Sequence, residues 1–316
     1  MSKARLMLDG VKSYFPRRRS YSMSSHTVDV RYGYSVWLRH LVSLARCGLT
    51  GPFPTVAELG PGNSVATGIC AVLTGAHRYI GLDVLRHLAL SRGESALEEL
   101  EGMFRRHAPI PDDTVYPELR PQLDNYAFPD SLGQTVSVPT IEEPRIEALK
   151  RDLRSLATGG SGGSVLRYIV PWNSKSLPDG SVDLVVSQAV LQEIPHGARD
   201  SALRETVAAT RQWLRPGGIA SHQIDLGLYG MTPWNVHWSW SDLVWKIVRG
   251  RRENFVNREP VSSYASVFRE CGFSIVAIQA EEREGVDDSV LMPRFRSLPA
   301  TERRTRTALI VVKKEA

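Results

Sequence analysis

Apolar positions recur along this chain in two rhythms. Short, nearly continuous apolar runs occur at Val56 to Leu59, Tyr79 to Leu82, Val165 to Val170, Val182 to Ser187 and Ile219 to Asp225. Runs of this length, bounded by glycine, proline and asparagine, predict strands buried on both faces. Between them the spacing changes to that of a helix. Tyr34, Trp37, Leu38, Leu41 and Leu44 share one face of a predicted helix over 34–48, placed before the first strand, with Thr50 to Pro54 as the linker into it. Further helices are predicted over 86–106 and 261–271, and Leu214-Arg215-Pro216-Gly217-Gly218 is expected to end another. Strands over 273–280 and 307–313 close the chain. Strands alternating with helices predict an α/β fold around a parallel sheet. Asn63 is positioned to cap the helix after the first strand.

The rhythm fails in two places. From Ala108 to Ser164 the chain is rich in proline and ends in Gly159-Gly160-Ser161-Gly162-Gly163. An irregular connection this long is usually functional or disordered. Residues 108–156 are therefore expected to form a lid or substrate-recognition insertion, with the glycines as its hinge. The second break runs from Asp225 to Arg258. Four of the seven tryptophans fall between Trp234 and Trp245, with His237 among them. The segment leaves the carboxyl end of a strand, where open α/β sheets bind ligands. Trp234, His237 and Trp238 are expected to face a sugar ring or a planar acceptor, while Trp240 and Trp245 anchor the next helix.

Composition narrows the picture. A chain of 316 residues with 42% apolar content can bury a full α/β core. No run approaches the roughly 18 apolar residues of a membrane span, and Met1 to Arg19 contains no apolar signal core. No membrane partner is expected. The net charge of +5 raises the possibility of nucleic acid, but the basic clusters at 17–19, 249–252 and 303–306 are short, dispersed and interrupted by acids. They read as solvated surface charge, and a nucleic-acid partner is not expected. Cys47, Cys70 and Cys271 have neither metal spacing nor a paired framework, so they read as buried thiols in a reducing, cytoplasmic setting, with no metal. Residues 1–30 are polar and basic, and read either as an arm over a cofactor or as an unstructured tail.

Candidate chemistry centres on Val56-Ala57-Glu58-Leu59-Gly60-Pro61-Gly62-Asn63-Ser64, followed by Tyr79-Ile80-Gly81-Leu82-Asp83. A strand ends in an acid, turns on two glycines and enters a helix; the next strand ends in a second acid. Glycine lets the backbone approach a ligand closely, and an acid after the second strand can grip both ribose hydroxyls. A dinucleotide turn wants glycine or alanine where Val65 stands, and Glu58 would repel a pyrophosphate. An ammonium group would instead be attracted. The acid-x-Gly-x-Gly turn therefore resembles the first motif of class I S-adenosylmethionine-dependent methyltransferases. Leu177-Pro178-Asp179-Gly180-Ser181-Val182-Asp183-Leu184-Val185 and Leu214-Arg215-Pro216-Gly217-Gly218 resemble the later motifs of that family, in the expected order over roughly residues 50–315.

The resemblance implies a Rossmann-like, doubly wound seven-stranded sheet with a C-terminal antiparallel hairpin, and S-adenosyl-L-methionine as cofactor. Residues 1–50 would be an N-terminal arm and helical cap, 51–107 with 164–316 the core, and 108–163 the lid. Glu58, Gly60 and Gly62 would line the methionine end and Asp83 the ribose. Asn173 stands where the family often has an adenine-contacting acid, with Trp172 able to stack; Ser187 and Gln188 would lie beside the sulfonium. Many relatives have histidine where this chain has Glu193, which leaves His237, Asp225, Glu193 and His196 as candidate bases, with His222 a core histidine. The expected reaction is O-methylation of a small hydroxylated metabolite or sugar. The alternatives are N- or C-methylation of a natural product, RNA methylation, or a non-catalytic cofactor-binding regulator.

Overall fold

The computed structural model describes residues 2–15, 29–88, 93–136, 143–196, 201–252 and 255–315. Five parallel strands form first. They are β1 (Thr55–Leu59), β2 (Arg78–Leu82), β3 (Leu166–Ile169), β4 (Val182–Gln188) and β5 (Leu214–Asp225). Then β6 (Ser274–Glu282) and β7 (Thr305–Lys313) join as an antiparallel pair, giving the order β3-β2-β1-β4-β5-β7-β6. The strand order reverses between β1 and β4, and a crevice opens outside the carboxyl ends at such a point. Central strands β1 and β4 are buried along nearly their whole length, which is why their sequences run apolar without alternating.

One face of the sheet is covered by α2 (Val30–Arg46), α3 (Ala66–Leu73), α4 (Gly93–Arg105) and α5 (Glu143–Ala157). The other is covered by α6 (Ala202–Trp213), α8 (Val261–Glu270) and the aromatic segment after β5. Asp29 begins α2 by accepting the Arg31 N–H at 3.0 Å. Asn63 does not cap α3; Val65 occupies that position, and the Ser64 hydroxyl accepts the Ala66 N–H at 3.1 Å. Nor do Leu214 to Gly218 end a helix: α6 stops at Trp213, and Leu214 already pairs with Val182 as β5.

Residues 1–50, expected as an arm and a helical cap, contain two helices that pack in different places. The first, α1 (Lys3–Lys12), seats Leu6 among Leu228, Trp240, Val248 and Phe255, beside α7 (Asp242–Arg249). The second, α2, belongs to the main core. The Ser20–Ser25 stretch and Arg17–Arg19 lie outside the described residues. The expected 108–163 insertion divides as well. Residues 108–136 lie along α2, tied by Arg39, which donates to the carbonyls of Pro121 at 2.6 Å and Pro111 at 3.1 Å. In contrast α5 is part of the core: Leu149, Leu153 and Leu156 pack into it, and Asp152 accepts the N–H groups of both Val165 and Leu166 at 2.9 Å, starting β3. Burying each of those leucines stabilises the fold by about 2 kcal/mol. The glycine run is accordingly the turn from α5 into β3.

Members of two of the basic clusters are engaged within the chain. Arg252 lies over the Phe255 ring, 3.8 Å from its centre; Arg303 pairs with Asp288, Arg304 with Glu282 and Arg306 with Asp225. Cys70 is buried, whereas Cys47 and Cys271 are half-buried.

Candidate active site

Parallel pairing of β1 with β2 sets Glu58 opposite Gly81, one position before the strands end. On this face β2 presents Tyr79, Gly81 and Asp83 in alternation. A side chain at 81 would crowd Pro61 at 3.0 Å and the Tyr168 ring at 3.3 Å, so glycine there leaves room for the Tyr79 hydroxyl to reach over and donate to Glu58. Glu58 is buried at the start of the turn, and burial pushes its carboxyl up to about 7, against the favourable bonds from Tyr79 and Thr67.

The turn itself requires glycine. Gly60 has φ +64°, and a Cβ would lie 2.6 Å from the Val190 side chain. Its N–H donates to the Leu82 carbonyl at 2.8 Å, holding the β1 turn against the end of β2. Gly62, at φ +71°, meets no atom within 4 Å in the direction of a Cβ, so the backbone there borders open space. Asp83 directly follows β2 and is also buried. Its carboxylate accepts from the Val84 N–H at 2.9 Å and the Tyr168 hydroxyl at 3.4 Å. Burial raises its carboxyl above the ordinary range, partly opposed by the charge of His87.

Past β4 the chain makes a sharp reversal. Ala189 adopts φ +53°, a conformation that costs a non-glycine residue of order 1 kcal/mol and that clusters at functional sites. The short turn Leu191–Glu193 follows, and two side chains from elsewhere fix it. Asn257 donates to the Ile194 carbonyl at 2.9 Å, and its N–H donates to the Gln192 carbonyl at 2.6 Å. The buried Gln192 amide donates to the Tyr229 hydroxyl at 2.9 Å. Tyr229 in turn hydrogen-bonds Glu193. Burial raises the Glu193 carboxyl to about 7, and the negative charge of Asp83 adds to the rise. Three carboxylates, Glu58, Asp83 and Glu193, thus converge from the carboxyl ends of β1, β2 and β4, each held above its ordinary range.

The remaining predicted site residues sit as follows. Trp172 is half-buried, edge-on to Trp213 at 5.4 Å, and its backbone N–H donates to the Asp83 carbonyl at 3.2 Å. Asn173 is exposed, its side chain accepting the Lys175 N–H at 2.9 Å. Ser187 is buried and bonded to His222 Nδ1 at 2.8 Å, on the sheet face away from Glu58; Gln188 donates to the Arg120 carbonyl at 3.0 Å. His222 is the core histidine expected, stacked on Phe268. Asp225 is clamped by Arg306 and accepts the Gly227 N–H at 2.8 Å.

His237, Trp234 and Trp238 depart furthest from expectation. His237 is wholly buried between Trp238 and Trp245, and burial together with Arg258 pushes its imidazole down to about 3. An imidazole so depressed is neutral near pH 7 but only weakly basic, and it is fully enclosed, so it is poorly placed as a base. Trp238 stacks on Phe295 at 4.7 Å, and Trp234 lies edge-on to Trp238 while donating to the Arg283 carbonyl at 3.0 Å. These rings build core between the sheet and the C-terminal segment.

Sequence reasoning passed over Tyr79, Tyr168 and Gln192. The two tyrosines had a signal: each stands on the same strand face as the acid it serves. Gln192 had none, because its partner is distant in sequence.

No family model and no curated protein sequence matches the chain. Among solved structures, an S-adenosylmethionine-dependent methyltransferase from Methanosarcina mazei is 13% identical with a TM-score of 0.43, over 86% of this chain and 97% of that one. A second, from Mesorhizobium loti, is 12% identical with a TM-score of 0.41, over 90% and 98%. Likenesses of this size carry no argument; the strand order and the side chains must supply it.

Proposed function

We propose that this chain is an S-adenosylmethionine-dependent methyltransferase that methylates a hydroxyl group of a small metabolite or sugar. The observation that carries the reading is the convergence of Glu58, Asp83 and Glu193 at the point where the strand order reverses. Such a cluster suits a ligand with both a cationic group and a diol: a cation relieves the mutual repulsion of buried carboxylates, and two hydroxyls can donate to one of them. The open space at Gly62 and the close Gly60 turn fit a ligand lying against the backbone. Glu58 would hold the ammonium and Asp83 the ribose, with Trp172 and Asn173 toward the base.

When bound, the donor supplies a methyl group on a positively charged sulfur that departs as a neutral thioether. The protein aligns the acceptor and removes one proton. Glu193 would carry out that removal. Its carboxyl, raised to about 7, ionises in the neutral range, and Tyr229 hydrogen-bonds it. Glu58 and Asp83 would hold the donor in line with the acceptor oxygen, and the Glu193 carboxylate would take the proton which that oxygen gives up.

Mass spectrometry of the protein purified under native conditions, with calorimetric titration of S-adenosylmethionine, tests the reading. Micromolar or tighter binding that Asp83→Ala weakens by roughly ten- to a hundredfold is expected, the scale of a lost charged hydrogen bond. Preferential binding of a dinucleotide overturns it.

A further inference from the structure

Helix α1 carries two apolar stripes, where a surface helix ordinarily carries one. The inner stripe, Leu6 and Gly10, faces α7 so closely that a Cβ on Gly10 would fall 2.0 Å from the Ile247 carbonyl oxygen. That contact fixes the direction of the outer stripe. Leu8 and Val11 follow one another at helical spacing, and Phe15 continues them one turn on, at exposures of 53%, 46% and 66%. Leu243 on the neighbouring α7 is 69% exposed, and Tyr14 lies beside Phe15. Nothing among the described residues covers these side chains.

The charges around them are mainly basic. Lys12 and Lys246 are exposed on the two helices, as are Arg5, which lies beside Asp9, and Lys3, which reaches over the Trp240 ring. Arg251 lies over the Tyr14 ring, 5.1 Å from its centre. The acids on these helices are already engaged: Asp9 lies 4.0 Å from Arg5, and Asp242 is paired with Arg258.

We propose that the outer face of α1 and α7 docks on an anionic lipid surface. Aliphatic and phenyl groups rimmed by lysine and arginine match the boundary between acyl chains and acidic headgroups. A polynucleotide would leave Leu8, Val11 and Leu243 in water. A second copy of the chain would meet like charge, and five half-exposed side chains offer roughly 400 Å², short of the roughly 800 Å² per partner of a stable interface. This reverses the expectation, drawn from the lack of an apolar span, that no membrane partner exists: the docking is on the surface and needs no span. It does not rest on the proposed methyl transfer.

Flotation of the full chain with vesicles tests it. The chain is expected to float with vesicles of 70% phosphatidylcholine and 30% phosphatidylglycerol (about these proportions) and not with phosphatidylcholine alone, and to be released in part at about 1 M salt. The double variant Leu8→Ser, Phe15→Ser should lower partitioning at least about tenfold while leaving thermal unfolding nearly unchanged, because both side chains are exposed. Lys12→Glu should lower it less. Failure to float on the anionic vesicles, or equal flotation of the double variant, overturns the proposal. So does light scattering that shows a dimer which the double variant dissolves.

Discussion

In the proposed reaction Glu193 takes the acceptor's proton. Its carboxyl is raised to about 7 by burial and by Asp83, so the ionised, proton-accepting form grows in as pH rises through that value. If it takes the acceptor's proton, kcat/KM should rise with pH and level off above about 8. Glu193→Gln should abolish that limb and lower turnover by roughly two to four orders of magnitude, with donor affinity changed little. A flat pH profile in the wild type, or near-normal turnover in the variant, would remove Glu193 from the reaction. The same shift has a consequence for stability. A carboxyl raised in the fold binds its proton more tightly than in the unfolded chain, so stability falls as pH rises from about 4.5 to 7 and stays lower above it. In the absence of ligand, Glu193→Gln should therefore be more stable than the wild type at pH 8, by on the order of 1–3 kcal/mol, and indistinguishable from it near pH 4. Denaturant titrations at the two pH values measure this.

Elements were legible where their residues serve one local purpose. The acid–glycine turn at Glu58 and the acid after β2 are legible as the ends of adjacent strands, because strand, turn and acid are consecutive in sequence. The sheet followed because buried parallel strands are written as apolar runs. What the sequence concealed depends on distant partners. His237 and Trp238 looked available because tryptophan beside histidine in an irregular stretch has no periodicity to declare a buried face. Phe295 and Arg258, which enclose them, lie at least twenty residues on. Likewise α5 was folded into a supposed lid, because proline and glycine around it masked a helix with Leu149, Leu153 and Leu156 on one side. The structure makes that helix a condition of β3. Asp152→Ala should leave the N–H groups of Val165 and Leu166 without their acceptor and destabilise the chain by roughly 1–3 kcal/mol. Deleting 143–157 should unfold it, whereas a detachable lid would leave a cooperative thermal transition intact.

At the scale of the molecule, the buried histidines oppose the raised carboxyls. Burial pushes His40 down to about 4 and His222 and His237 to about 3, below the ordinary value of about 6.5. Each is neutral in the fold and protonated in the unfolded chain across that interval, so each contributes stability that is present above about pH 6.5 and lost as pH falls. Glu58 and Glu193, and Asp83 in the same direction, act oppositely as pH rises. Between about pH 4.5 and 6.5 the two groups largely offset one another, and stability should change little. Below about 4.5 the carboxyls are protonated in both states and contribute no slope, while the histidines still do. Stability should then fall steeply, by up to about 1.4 kcal/mol per pH unit for each histidine still titrating. Above about pH 6.5 only the carboxyls remain, and a shallow decline should follow until they are ionised. Saturating S-adenosylmethionine, by placing a cation among those carboxylates, should flatten the alkaline decline and leave the acid limb in place. Urea unfolding across pH 4 to 8, with and without the ligand, separates the two limbs. An acid limb that the ligand also removes, or an alkaline limb that it leaves untouched, would mean that the raised carboxyls and the ligand do not meet.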